Sequence, residues 1–147
     1  MTLFLDNCCL SRPTDDQTQL RIRQEAQAVL EILRQVEHGH HLLLASSYLL
    51  VEIRRNPDLE RQHEVLQSLM PLATIIRASA EIESRARLLE SLGLRTYDAL
   101  HVAASEHAHT DCLITTDDKL LNFALRHANI LTVRVLNPLA WLNFSNT

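Results

Sequence analysis

Five acidic residues stand where carboxylates could do chemistry: Asp6, Glu52, Asp98 and the adjacent pair Asp117 and Asp118. Asp6 closes the apolar run Leu3–Leu5, and Asp117 and Asp118 follow "CLITT". Glu52 lies inside "YLLVEIRR" and Asp98 inside "TYDALHVAA", just ahead of the most apolar helical run of the chain. A carboxylate held near a core costs several kcal/mol unless it is compensated. Several held together repel one another and raise each other's pKa values. A divalent cation answers both costs. Mg²⁺ or Mn²⁺ takes hard oxygen ligands, usually a few carboxylates with water and a substrate phosphate. Each acid also has a plainer reading. Asp98 suits a helix N-terminus, Asp117 or Asp118 an N-cap, Asp6 a turn, and Glu52 a surface pair with Arg54 or Arg55. Taken singly, the two readings of each acid stand level. Taken together, two strand-end acids and two semi-buried helix acids can converge on one edge.

The elements that must position them alternate along the chain. Leu3–Asp6 reads as a short buried strand, and Asp15–Glu37 as a long helix with Ile22, Ala26, Val29, Leu30, Leu33 and Val36 at helical spacing. Gly39 suits its C-terminal stop. Leu42–Ala45 reads as a second strand, with Ser46 or Ser47 capping the helix that carries Glu52. Asn56 is expected to cap a further helix, with Pro57 in its first turn, running to about Met70. Ala73–Ile76 is a third strand, and Ser79 caps a helix that stops at Gly93. Thr96 is expected to cap the next helix, from Tyr97 to about Ala108. Cys112–Thr115 is a fourth strand, followed by a helix through about Arg126. Leu131–Leu136 is a fifth strand, and Asn137-Pro138 opens a short closing turn of helix. Short apolar strands separated by helices imply a parallel sheet covered on both faces, a three-layer α/β/α sandwich. Such sheets bind ligands beyond the carboxyl ends of their strands, where Asp6 and Asp117 fall.

Composition narrows the field. The chain has 147 residues, read as one domain over residues 1–147. It contains only Gly39 and Gly93 as glycines, so a Gly-rich phosphate loop is excluded. The net charge of −4 gives no global basic field, so a nucleic-acid partner needs a local patch. No stretch approaches the roughly 18 to 20 continuous apolar residues of a membrane span, and no signal peptide is evident, so a cytoplasmic location is expected. Cys8, Cys9 and Cys112 lack zinc spacing. A thiol nucleophile at Cys8 or Cys9 needs a lowered pKa, whereas neighbouring carboxylates raise it. His38–His41 ("HGHH") lies at a helix exit and reads as a polar turn. His101, three residues after Asp98, reads as a partly buried structural histidine on a similar helix face.

Four stretches together resemble the PIN domain, and more closely the VapC-like ribonuclease toxins of type II toxin–antitoxin systems. "FLDNCCL" is similar to the opening strand with the first aspartate, Asp6. "SSYLLVEIRR" resembles the helix bearing the family glutamate, Glu52. "GLRTYDALHVAASE" is similar to the segment in which a Gly-containing turn precedes the aspartate of a D-A-L-H-x-A helix, which makes that aspartate Asp98. "CLITTDDKLL" resembles the strand ending in T-x-D, with Thr115 as the hydroxyl residue and Asp117 as the last acid. The alternative register from Thr116 would make Asp118 that acid. Asn7 stands where the family often has Thr or Ser.

The resemblance implies a sheet of about five strands ordered 3-2-1-4-5, with Asp6 and Asp117 on adjacent strands. It implies a Mg²⁺- or Mn²⁺-dependent endoribonuclease whose metal and catalytic residues are Asp6, Glu52, Asp98 and Asp117. Thr115, Asn7 and Asp118 are supporting candidates. Arg12, Arg54, Arg55 and Arg95 are candidates for RNA phosphate contacts, against a solvated surface role for each. A cognate antitoxin protein, a homodimer and an RNA substrate are the partners it implies. The competing reading is a non-catalytic PIN-like module that binds RNA or protein. A phospho-acceptor receiver domain needs an aspartate ending strand three and a lysine ending strand five, and "ATIIRASAE" and "TVRVLNPLA" offer neither. A haloacid-dehalogenase-type phosphatase needs D-x-D after strand one, where the chain reads Asp-Asn-Cys.

Overall fold

In the computed structural model, residues 1–146 are described. Their strands are β1 (Thr2–Leu5), β2 (Leu42–Ser46), β3 (Ala73–Ile76), β4 (Cys112–Ile114) and β5 (Arg134–Leu136). They form one parallel sheet in the order β3-β2-β1-β4-β5. Central strand β1 shows why its sequence is so apolar: Leu3, Phe4 and Leu5 are wholly buried, as a parallel strand covered on both faces must be. Full burial of each such side chain contributes about 1.5–3 kcal/mol.

The helices are α1 (Asn7–Ser11), α2 (Leu20–Glu37), α3 (Ser47–Arg54), α4 (Leu59–Leu69), α5 (Ala80–Ser91), α6 (Thr96–His107), α7 (Asp118–Arg126) and α8 (Pro138–Ser145). They complete the three-layer α/β/α sandwich. Helix α2 packs with α8, α5 with α6, and α3 with α6. Side chains at the strand exits start the helices. Ser46 accepts from the Leu49 amide at 3.0 Å, Ser79 from Ile82 at 3.2 Å and Asn137 from Leu139 at 2.8 Å. Gly39 and Gly93 end α2 and α5 with φ of +81° and +121°, conformations that L side chains rarely adopt.

Several boundaries differ from the sequence expectation, each for a local reason. The long helix begins at Leu20, not Asp15. Asp16 accepts from the Thr18 amide, and the Gln17 amide group donates to the carbonyls of Arg12 and Asp15, so polar side chains satisfy the backbone before the helix can. Asn56 does not cap α4. Its side chain accepts from the Asp58 amide at 2.9 Å, and Asp58 becomes the cap. The Thr96 hydroxyl donates to Glu90 rather than capping α6, which starts one residue early with Arg95 at the cap position. Strands β4 and β5 are shorter than expected, and the α8 helix is more than one turn. The unforeseen elements are α1 and the 3₁₀ turn Arg12–Thr14.

Candidate active site

The register that builds the sheet also builds the site. Leu3, Phe4 and Leu5 pair with Cys112, Leu113 and Ile114, so the next residues, Asp6 and Thr115, leave the sheet side by side. The Thr115 hydroxyl donates to Asp6 Oδ2 at 2.5 Å and accepts from the Asp117 amide at 3.1 Å. One threonine thus ties the two strand-end aspartates together. Asp6 Oδ1 accepts from the Cys9 amide at 3.0 Å, which makes Asp6 the N-cap of α1. Asp6 is only 2% exposed. Burial pushes its carboxyl up to about 6, against the lowering effect of the Thr115 and Cys9 hydrogen bonds and of His101; Asp98 adds a smaller upward push.

The helices supply the other acids. Asp98 sits in the first turn of α6, where the helix dipole favours a carboxylate. Burial, then the neighbouring Asp117 charge, holds it above the usual carboxylate range, while His101 and Arg95 oppose that shift. Glu52 projects from α3, and its Oε1 accepts from His101 Nε2 at 2.8 Å. His101, 1% exposed, lies near the rings of Phe4 and Tyr97. Its Nδ1 has no hydrogen-bond partner among the described residues. A fully buried side chain therefore fixes a half-buried one. Asp117 caps α7 by accepting from the Lys119 amide at 2.9 Å.

Cys8 lies within electrostatic reach of all four acids. Although part of the residue is exposed, its thiol is pushed up to about 12, first by desolvation and then by Asp6, Asp117, Asp98 and Glu52. Cys9 is raised well above the ordinary range, chiefly by burial. Neither thiol is an activated nucleophile.

Arg95 now holds the place of a cation among these acids. Its guanidinium lies 3.1 Å from Asp117 and 3.8 Å from Asp98. Asp6 and Asp117 have both oxygens engaged by protein donors and Glu52 has one, while Asp98 meets only the Arg95 ion pair. Among the described residues no three His, Cys, Asp or Glu side chains are grouped closely enough to hold an ion. The donor chemistry nonetheless fits Mg²⁺ or Mn²⁺: four hard carboxylates on one edge, two of them held above their ordinary pKa by burial and mutual charge. Arg95 is 65% exposed, so swinging it outward breaks no core packing.

The remaining candidates divide clearly. Asp118 points to a different partner: both its oxygens accept from Arg21, at 2.9 and 2.8 Å, and its carboxyl is held below the usual range by that contact. Asn7 opens α1, where its side chain accepts from the Ser11 hydroxyl at 3.2 Å. Arg12 is committed inward, to Asp15 and to Glu25. Arg54 is exposed at the end of α3, and Arg55 lies over the Tyr97 ring at 5.7 Å. Sequence reasoning missed Glu25, a carboxylate 1% exposed that accepts from Arg12, Arg21 and Asn137. Its place on the apolar face of the 3.6-residue pattern, beside Ala26 and Val29, was the available signal. The asparagine partner, more than a hundred positions away, was not.

The family model described as PIN domain matches residues 4–125. A solved structure of VapBC2 from Rickettsia felis, bound to a DNA fragment from their promoter, is 17% identical with a TM-score of 0.61, covering 93% of this chain and 98% of that one. VapC20 from Mycobacterium tuberculosis, described as a Sarcin-Ricin loop cleaving toxin, is 12% identical with a TM-score of 0.60, covering 90% of this chain and 98% of that one. At these identities the likeness is one of fold. A comparison with curated protein sequences gives no match.

Proposed function

The chain belongs to the PIN domain family, and on that premise we propose that it is a metal-dependent endoribonuclease, the toxin of a type II toxin–antitoxin pair. The observation that supports this reading is the chain of contacts linking the four acids: Thr115 joins Asp6 to Asp117, Arg95 lies between Asp117 and Asp98, and His101, three residues beyond Asp98 on α6, holds Glu52. The four carboxylates would hold one or two Mg²⁺ or Mn²⁺ ions. A bound ion of this kind lowers the pKa of a coordinated water and neutralises charge growing on a phosphate. The reaction adds water across a phosphodiester: a new P–O bond forms, the bond to the 3′ oxygen breaks, and the products carry a 5′-phosphate and a 3′-hydroxyl.

The chain's own residues have distinct parts. Asp6 is rigid because Thr115 and the Cys9 amide hold both of its oxygens. Thr115 orients Asp6 and Asp117 together, and His101 orients Glu52. Asn7, at the mouth of the site, offers an amide to water or phosphate. Arg95, Arg54 and Arg55 reach phosphates from the rim, and Arg12 does so only by giving up its internal pairs. Asp117 rather than Asp118 is the last acid, since Asp118 is turned to Arg21.

The toxin label and the partners rest on the likeness to the VapBC2 complex and to VapC20. A cognate antitoxin, an RNA target, a homodimer and a cytoplasmic site of action complete the proposal. No helix among the described residues is long and apolar enough to cross a membrane.

The test is Mn²⁺-dependent cleavage of several RNAs by the wild-type protein beside Asp6→Asn. We expect cleavage by the first and loss of at least a hundredfold in the second, the scale of removing an electrostatic stabiliser from an active site. Equal background from both proteins defeats the nuclease reading, and retained RNA binding would then favour the non-catalytic module.

A further inference from the structure

Beside the acids, between the start of α6 and the exposed face of α7, lies a cleft of about 310 Å³. Its polar lining is Arg95, Asp98, Lys119, Asn122 and Arg126, over a wall that includes Phe123. Lys119, Asn122 and Arg126 are spaced i, i+3 and i+7, so they form one stripe along α7. The stripe begins at the helix end capped by Asp117 and spans about 10 Å at 1.5 Å per residue. Lys119 is the chain's one lysine.

Arg12, Arg21, Arg34, Arg61 and Arg85 are each held by carboxylates. Lys119 and Arg126 are exposed and have no carboxylate partner among the described residues. Arg23, Arg77 and Arg87 share that lack of a carboxylate partner, but only Lys119 and Arg126 of these line the cleft beside the acids. In an acidic protein, two such cations on one helix face, opening onto a cluster of carboxylates, form the local basic patch that net charge alone denies.

We propose that this cleft is the track for the single-stranded RNA backbone flanking the bond that is cut, with Lys119 and Arg126 contacting successive phosphates and Asn122 hydrogen-bonding between them. This rests on the nuclease reading for its substrate. Phe123 is buried, 2% exposed, and offers no face on which a base can stack. The track therefore holds backbone, and it adds affinity without choosing a sequence.

The test compares three proteins: wild type, Lys119→Ala/Arg126→Ala, and Arg23→Ala/Arg87→Ala. The last removes the same charge from exposed positions of α2 and α5 outside the cleft. Binding of labelled oligo-U and of a mixed-sequence RNA is measured in EDTA across a salt series. Mn²⁺-dependent cleavage of the same RNAs is measured separately. The cleft variant should bind both RNAs roughly tenfold more weakly, by the same factor for each, with the slope of log affinity against log salt reduced by about 1.4, or about 0.7 per single-strand phosphate. Its KM should rise with kcat nearly kept, the mark of lost uniform binding. Cleavage by wild type with both double variants behaving alike overturns the track and leaves the nuclease standing. RNA binding that depends on the cleft, without cleavage by any protein, keeps the track and overturns the nuclease. An effect confined to one RNA sequence overturns the backbone assignment.

Discussion

At the scale of single residues, Asp6 carries the heaviest cost. Its carboxyl is pushed up to about 6 by burial, from an ordinary value of 3.8 in the unfolded chain. Below 3.8 both states are protonated. As the pH rises from there to about 6, the unfolded chain gives up its proton first, so the folded state loses stability. A gap of this size amounts to about 3 kcal/mol, fully expressed above about 6. In EDTA, Asp6→Asn should therefore be more stable than wild type at pH 8, by up to about 3 kcal/mol, and close to it at pH 4, as urea denaturation would show. A gap that is the same at both pH values would refute the strained carboxylate. Asp6 was legible in the sequence because an apolar run ended on it. Its role as the cap of α1 was not, because "NCCLS" lacks the length for a periodicity. The bond between Glu52 and His101 was hidden for a different reason. Its partners lie 49 positions apart, and only the packing of α3 on α6 makes them neighbours.

At the scale of elements, the acid that matters most to assembly is not in the site. Glu25 on α2 accepts from Asn137, the cap of α8, and from Arg12 in the 3₁₀ turn and Arg21 in its own helix. It fastens the first long helix to the last one, next to β5. Removing one partner of a buried charged network costs about 3–5 kcal/mol. Glu25→Ala should lower stability by that order in urea or thermal unfolding, and a loss below about 1 kcal/mol, typical of a surface pair, would show that solvent screens the network. The order of the helices was readable from caps and glycine stops. Their starts were not readable at Asp15, Asn56 and Thr96, where a polar side chain bonds locally and displaces the expected boundary.

At the scale of the whole molecule, the site is an electrostatic cost that the fold carries in its centre. Strand order 3-2-1-4-5 follows the family resemblance, and it places β1 between β2 and β4 so that Asp6 and Asp117 emerge together. Alternation of strands and helices indicated the sandwich, but periodicity contains no information on strand order. If the four acids take up Mg²⁺ or Mn²⁺, ligand at a hundred times its dissociation constant should stabilise the protein by about 2.7 kcal/mol, a rise of roughly 5–10 °C in Tm at pH 7.5. Asp6→Asn, already relieved of its buried charge, should show little of that rise. A wild-type Tm that Mn²⁺ and EDTA leave unmoved would remove the metal from the proposal without touching the fold. The stripe on α7 has one more consequence, for handling the protein. With a lone lysine in the chain, reagents that acylate side-chain amines have a single address. A fluorophore or crosslinker that acylates this side chain lands on the rim of the cleft, and the α-amino group of Met1 is the one other amine it meets.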